Sequence, residues 1–282
     1  PFSGLKDFLY RKMVFPKLLA ALGGRFRLVI SGAAPLPTEI GRFFLNIGLP
    51  IFEGYGLTEA SPVIAANYPG HRRLGTVGRV FPEVEVKIDE DGEVLARGPN
   101  IMRGYHNRPE ETAETIDGEG FLHTGDLGSL DEGYLTITGR KKELFKKSTG
   151  EYVPPVPIEQ KLGMCTAIDM AMVVAEQRKF VTAVIFPDFE QADRLQNEWN
   201  MQGLSREEFL RSDEFRNEIR TCIDETNRHL HHTEEVQKFT VISDEPGVET
   251  GELTPTMKIK RRVIEDKYRE QIEHLYEEEE QS

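Results

Sequence analysis

The 282-residue sequence has two cysteines, one tryptophan and no long apolar run. Two cysteines exclude the multi-bridged scaffolds of small secreted domains, and neither Cys165 nor Cys222 has a partner at metal-ligand spacing. They are read as two buried or free thiols in a reducing compartment. No stretch reaches the roughly 20 apolar residues of a bilayer-spanning helix, and no signal peptide stands at the start. The expected location is therefore the cytoplasm, with peripheral membrane contact and oligomeric state left open. Positive charge is also scarce: 35 Lys and Arg face 48 Asp and Glu, a net charge of −13. That excludes binding along a nucleic-acid backbone, which needs a basic surface, but not a nucleotide, which needs only a few local cations.

What is present suits about two globular domains, with 38% hydrophobic residues and neither repeats nor low-complexity segments. The opening Pro1-Phe-Ser-Gly, without Met, reads as a piece of a longer chain. The acidic end, residues 277–280, is a solvated tail. His229, His231 and His232 do not fall on one helix face and read as a solvated helix terminus rather than a metal site.

Taken in order, residues 5–22 have the apolar spacing of a packed helix closed by Gly23-Gly24. Residues 27–31 predict a buried strand, and Thr38 a cap for a helix whose Ile40, Phe43, Phe44 and Ile47 share a face. Residues 49–52 predict a second strand, which completes a βαβ unit and a parallel sheet. From residue 75 alternating runs at 84–88, 94–97 and 134–138, with an Asp91-Gly92 turn, predict a small antiparallel, barrel-like sheet separate from the βαβ unit. Residues 139–143 look like a boundary. Beyond them, strands near 170–174, 180–186 and 236–242 and helices near 188–201, 213–230 and 260–276 predict a separate α+β domain. The expected fold class is thus α/β plus α+β, divided as 1–74, 75–139 and 140–282.

The stretch Ile51-Phe-Glu-Gly-Tyr-Gly-Leu-Thr-Glu-Ala60 organises the functional reading. Glycines on both sides of Tyr55 let backbone turn tightly and approach a ligand, Tyr55 offers a flat face, and Thr58 and Glu59 offer a hydroxyl and a carboxylate to a phosphate-bound metal. An ordinary strand-to-turn junction would use the same residues. In parallel sheets ligands sit at the carboxyl ends of strands, so the loop Gly32-Ala33-Ala34 opens toward the same crevice. Asp126, behind Gly125 at a strand end, can accept ribose hydroxyls or equally cap a turn.

Together these stretches resemble the adenylate-forming enzymes. Ser31-Gly-Ala-Ala-Pro-Leu36, Gly54-Tyr-Gly-Leu-Thr-Glu59, Gly104-Tyr with Pro109-Glu, Thr124-Gly-Asp126 and Gly139-Arg140 stand in that family's order and approximate spacing. Residues 144–153, Pro155-Val-Pro-Ile-Glu159 and Leu253-Thr-Pro-Thr-Met-Lys258 are similar to the long-chain fatty acyl-CoA synthetases within it. The family's Ser/Thr/Gly-rich phosphate loop has no counterpart in this sequence. The resemblance therefore covers the end of the large N-terminal domain and the whole C-terminal domain.

The resemblance implies a two-step reaction: a fatty carboxylate attacks the α-phosphate of ATP with Mg²⁺ to give acyl-AMP, and the thiol of CoA then displaces AMP. It implies Gly32, Ala33 and Ala34 as the backbone edge of an adenine slot, Gly54, Tyr55 and Gly56 around the base, and Thr58 on phosphate. It implies Glu59 on Mg²⁺, Asp126 and Arg140 on the ribose, and Lys258 between carboxylate and α-phosphate. Lys258 is preferred over Lys260 by pattern, although Met257 stands where the family has glycine. The hinge falls at Lys142, and Gly150, Lys146 and Lys147 face CoA after the C-terminal domain rotates. In one pose Lys258 joins Tyr55, Glu59 and Asp126 around one AMP-shaped hollow. The alternatives are an adenylation domain that loads a carrier-protein thiol and a non-catalytic nucleotide-binding fragment; the fragment alone is expected to be inert.

Overall fold

The computed structural model describes residues 12–277. The chain forms two units, Pro1–Lys142 and Glu143–Ser282. In the first, helix α1 (Phe15–Ala21) begins with proline in its first turn and ends at Leu22, followed by Gly23 and Gly24 at positive φ. It lies within the expected helix 5–22, whose first residues fall outside the described range. The helix was expected to be packed, but none of its residues is buried within this unit.

Strand β1 (Val29–Ser31), helix α2 (Thr38–Asn46) and strand β2 (Ile51–Tyr55) form the βαβ unit, with β1 and β2 parallel. Two details depart from expectation. β1 lies at the edge of its sheet with Ile30 75% exposed, so it is not a buried strand. Thr38 is the first helical residue after Pro37 and makes no capping bond. Ile47, the residue that closes α2, is buried, whereas Phe43 within the helix is half exposed.

Strands β3 (Ala65–Ala66), β4 (Gly78–Val80), β5 (Glu85–Ile88), β6 (Glu93–Arg97), β7 (Leu122–Asp131) and β8 (Tyr134–Arg140) follow, with helix α3 (Pro109–Thr115) between β6 and β7. They do not make a sheet of their own. All eight strands hydrogen-bond in one mostly antiparallel sheet ordered β1-β2-β3-β4-β8-β7-β6-β5, which runs past residues 74 and 75 without a break. The βαβ unit is therefore continued by the antiparallel strands, because β2 turns back on β3 after a close approach of backbone. A Cβ added at Gly56 would lie 1.7 Å from the Pro62 carbonyl oxygen, so only glycine fits there. The β7–β8 turn carries Glu132 and Gly133, both at positive φ, the backbone that matches strand twist in a two-residue hairpin. Ala60, Ile64, Ala65, Val94, Ala96, Leu122 and Leu135 make the core of this unit.

The second unit begins with the two-stranded hairpin β9 (Phe145–Lys146) and β10 (Tyr152–Val153), then helix α4 (Pro155–Leu162). Its main sheet joins β11 (Ile168–Val174) antiparallel and β13 (Val236–Val241) parallel to the central β12 (Val181–Pro187). Helices α5 (Phe189–Glu198), α6 (Arg206–Arg211) and α7 (Asp213–Asn227) connect β12 to β13. β12 is buried throughout, and its side chains divide with period two. Val181, Ala183 and Ile185 join a core with Phe215, Ile219 and Ile223 of α7, whereas Val184 and Phe186 join Ile264 and Ile272 on the opposite face. The expected helix at 260–276 is two helices, α8 (Arg261–Lys267) and α9 (Arg269–Glu277), which meet at Tyr268.

The cysteines are not separate thiols. Cys165, just after α4, and Cys222 on α7 form a disulfide with their Cα atoms 5.9 Å apart. They are 57 residues apart in sequence, and spacing alone gives no sign that the loop after α4 and the inner face of α7 meet.

Candidate active site

In the first unit, β7 and β8 are paired so that Asp126 stands opposite Arg140. The Arg140 Nε donates to Asp126 Oδ1 at 2.8 Å, and the Tyr55 hydroxyl, at the end of β2, donates to Asp126 Oδ2 at 2.7 Å. Three residues expected on one nucleotide thus meet from three strands. Asp126 is only 5% exposed. Its backbone N–H donates to the Thr124 hydroxyl, which itself donates to the Val94 carbonyl, so the carboxylate has a fixed direction. Burial, and then the Asp126 charge, push the Tyr55 phenol far above its ordinary range, which keeps it a proton donor.

Thr58 and Glu59 lie on a 3₁₀ turn, Thr58–Ala60, directly after β2 and Gly56. The Glu59 backbone carbonyl accepts from Met102 N–H at 2.8 Å, and its Oε1 accepts from the Tyr105 hydroxyl at 2.8 Å. Tyr105 belongs to the Gly104-Tyr motif but carries no role in the sequence reading; this bond gives it one, orienting Glu59. Thr58 is exposed. Gly54 and Tyr55 lie within β2 rather than in a turn after it, and a methyl at Gly54 would meet only ordinary contacts, so the tight approach belongs to Gly56.

The loop Gly32-Ala33-Ala34 is exposed and leaves β1 beside β2: Ser31 pairs with Glu53, and a Cβ on Gly32 would lie 3.2 Å from the Gly54 carbonyl oxygen. Ala33 takes φ +65°, a left-handed conformation uncommon for a residue with a side chain. Glu53 is a second residue that sequence reading missed. Burial raises its carboxyl to about 6, against a hydrogen bond to the Leu36 backbone that favours the charged form. Glu53 therefore ties β2 to the far end of the Ala33 loop.

A buried carboxylate braces the strand under Asp126. Glu93 accepts the Gly125 N–H at 2.9 Å, Lys141 Nζ at 3.0 Å and faces His123 Nδ1 at 3.3 Å. Burial would raise Glu93, but Lys141, Gly125 N–H and His123 together hold it below the usual carboxylate range. Lys142 sits in the 3₁₀ turn Lys141–Glu143, where the two units divide.

In the second unit, Gly150 lies at the β9–β10 turn with φ +96° and open space where a Cβ would stand. The two lysines beside it differ. Lys146 is exposed, near the Tyr152 ring, whereas Lys147 is only 7% exposed and its Nζ donates to the Thr233 carbonyl at 3.0 Å and pairs with Glu151 at 3.2 Å. The Lys147 ammonium is thus engaged inside the fold. Lys258 is exposed on the turn of a short hairpin in which Leu253 and Ile259 pair. Met257 before it takes φ +60°, the conformation that a glycine at that position would favour.

The family model for AMP-binding enzymes matches residues 7–106, and that for the AMP-binding enzyme C-terminal domain matches residues 143–280. The chain belongs to the AMP-binding enzyme family. It is 37% identical over 273 residues to a Mycobacterium tuberculosis protein named long-chain-fatty-acid–CoA ligase FadD15, a match over 96% of this chain and 45% of that protein. It is 34% identical to long-chain-fatty-acid–CoA ligase ACSBG1 of Mus musculus, over 100% of this chain and 43% of that protein. The chain therefore spans about half the length of the curated relatives it matches. Its fold is similar to the adenylation domain of a carboxylate reductase from Mycobacterium chelonae, with a TM-score of 0.73 and 25% identity over 95% of this chain and 41% of that one. The corresponding domain from Segniliparus rugosus, solved with AMP and a carboxylic acid, gives 0.69 at 22% identity over 96% and 45%.

Proposed function

We propose that this chain is the nucleotide-contacting end and mobile C-terminal domain of an AMP-forming fatty acid–CoA ligase. The observation that carries the reading is the Tyr55–Asp126–Arg140 cluster, in a chain whose family and named relatives handle AMP and fatty acids. In this reading residues 1–139, built on one continuous sheet, close the N-terminal adenylation domain, and 140–282 rotate about Lys142. The division of the units at Lys142 supports the last point.

The carboxylate of a fatty acid attacks the α-phosphorus of ATP, pyrophosphate leaves, and acyl-AMP forms; the CoA thiol then attacks the acyl carbon and AMP leaves. Asp126 accepts hydrogen bonds from ribose hydroxyls, and Arg140 both neutralises Asp126 and reaches the sugar. Tyr55 presents its ring to adenine while its hydroxyl stays committed to Asp126. The backbone of Gly32, Ala33 and Ala34 borders the base, and Gly54 and Gly56 keep side chains out of its way. Thr58 donates to phosphate. Lys258 offsets negative charge that grows on the α-phosphate in the adenylation transition state, and so serves the first step. Gly150 leaves room for the pantetheine arm and Lys146 meets CoA phosphates; Lys147 contributes to the shape of that loop.

Among the described residues no cluster of three or more His, Cys, Asp or Glu could hold a metal by itself. One oriented carboxylate with a nearby hydroxyl fits Mg²⁺, which binds through one or two protein oxygens plus substrate phosphates. Glu59 would hold it, with Thr58 alongside. The ion's contribution when bound is to neutralise phosphate charge. Among the described residues no helix is long and apolar enough to cross a membrane. We place the enzyme in the cytoplasm or against a membrane surface.

A second reading is an adenylation domain whose acyl group passes to a carrier-protein thiol instead of CoA. The complete protein should release pyrophosphate with long-chain fatty acids but not with amino acids, and make thioester when free CoA is added. Pyrophosphate release without any CoA thioester would favour the carrier reading. The 282-residue chain alone should not turn ATP over, and turnover by it would refute its assignment as an incomplete enzyme.

A further inference from the structure

Lys258 projects from a hairpin whose two legs are each anchored by an ion pair, one on a buried carboxylate and one on a half-buried carboxylate. The hairpin is short and closed by its own backbone. Thr254 N–H donates to the Lys258 carbonyl at 2.8 Å, Lys260 N–H to the Glu252 carbonyl at 2.7 Å, and Lys258 N–H to the Thr254 hydroxyl at 3.0 Å. The first leg ends in Glu252, whose residue is 0% exposed and whose Oε1 lies 2.7 Å from Lys267 Nζ on α8. Its other oxygen faces the Gly247 N–H at 3.4 Å, and Thr250 bonds the same carboxylate. The second leg runs into Arg261, which donates to Glu159 of α4 at 2.7 Å and to the Val173 carbonyl of β11 at 3.2 Å. Ile259 packs on the core beneath.

We infer that Glu252 is a positioning residue for Lys258: paired with Lys267 it fixes one leg of the hairpin, Arg261 with Glu159 fixes the other, and the lysine is held out on a turn that cannot swing. An exposed, four-methylene side chain has many rotamers, and a loose base would add to them. Delivery of its ammonium to one phosphate position requires a rigid base, since misplacement of about 1 Å can cost on the order of 100-fold in rate. The charge state of Glu252 fits this arrangement. Burial would raise its carboxyl, but the Lys267 ammonium, the Thr250 hydroxyl and backbone N–H groups hold it at about 2, so it stays ionised. The rate part of this inference rests on the proposed role of Lys258; the mechanical part does not.

Two measurements separate them. In the 282-residue chain, amide hydrogen exchange is compared between wild type, Glu252→Gln and Lys267→Gln, the last removing only the partner at the outer end. The amides of residues 253–260 should exchange about tenfold or more faster in both variants, with β11, β12 and β13 unchanged. Unchanged hairpin exchange in Lys267→Gln, or acceleration spread evenly through the domain, overturns the inference. In the complete protein, Glu252→Gln should slow acyl-AMP formation about tenfold while thioester formation from supplied acyl-AMP stays within twofold; equal loss in both steps overturns the positioning role. Absence of acyl-AMP formation by the wild-type protein would refute the ligase assignment and leave the exchange result standing.

Discussion

The hydroxyl of Tyr55 and the carboxylate of Asp126, 71 residues apart in sequence, lie 2.7 Å from each other. The bond joins the parallel end of the sheet to its antiparallel part. Arg140 occupies the other oxygen of Asp126, so the pair is held from both sides.

Removal of the Tyr55 hydroxyl leaves a nearly buried carboxylate short of one donor, a loss of about 1–3 kcal/mol in such settings. Tyr55→Phe should therefore lower stability by about that amount while keeping a ring for the base. Asp126→Ala should do more to the nucleotide, raising the KM for ATP of the complete protein about tenfold or more with a smaller change in kcat. Thermal unfolding and ATP titration of both variants check this. An unaltered ATP requirement in Asp126→Ala would remove Asp126 from the ribose.

The raised pKa of Glu53 has a direct pH consequence. Its folded value of about 6 lies above the ordinary 4.5. The folded state therefore binds the proton more tightly, and the contribution is fully present below pH 4.5 and lost as pH rises through about 6. The difference corresponds to about 1 kcal/mol after allowance for partial exposure and solvent screening. Glu53→Gln should gain stability relative to wild type between pH 5 and 7.5, and little below pH 4.5. Chemical denaturation of both proteins across that range is the test; a pH-independent difference would contradict it.

The Cys165–Cys222 bridge closes a 57-residue loop in the second unit. Loop-closure entropy puts its contribution near 4 kcal/mol, and measured bridges commonly give 2–4. A reducing agent should lower the melting temperature of the second unit and leave the first unchanged, and Cys222→Ala should reproduce the shift without reductant. Absence of any response to reductant in wild type would show that the thiols do not pair.

Sequence made the second unit largely legible, because its elements are local and periodic: α7 buries Phe215, Ile219, Cys222 and Ile223 as their spacing requires. The break at Tyr268 was hidden because α8 and α9 continue one apolar pattern, with Ile264, Tyr268 and Ile272 all reaching the same core. In the first unit the strands were legible from alternation, but their union into one sheet was not. That union depends on the two-residue strand β3, too short to show any period. For the site, motif glycines marked where backbone approaches closely, which located Gly56. Glu53, Tyr105 and Glu93 escaped because each acts through a partner distant in sequence. A carboxylate on a strand looks the same whether it meets solvent or a backbone N–H 32 residues away, as Glu93 does at Gly125.

Glu93 has one oxygen on Gly125, next to Asp126, and the other on Lys141, next to Lys142. Its side chain is 6% exposed, so water offers no replacement partner if either contact stretches. One buried acid thus ties the peptide before Asp126 to the residue before Lys142, and loosening either contact strands the other.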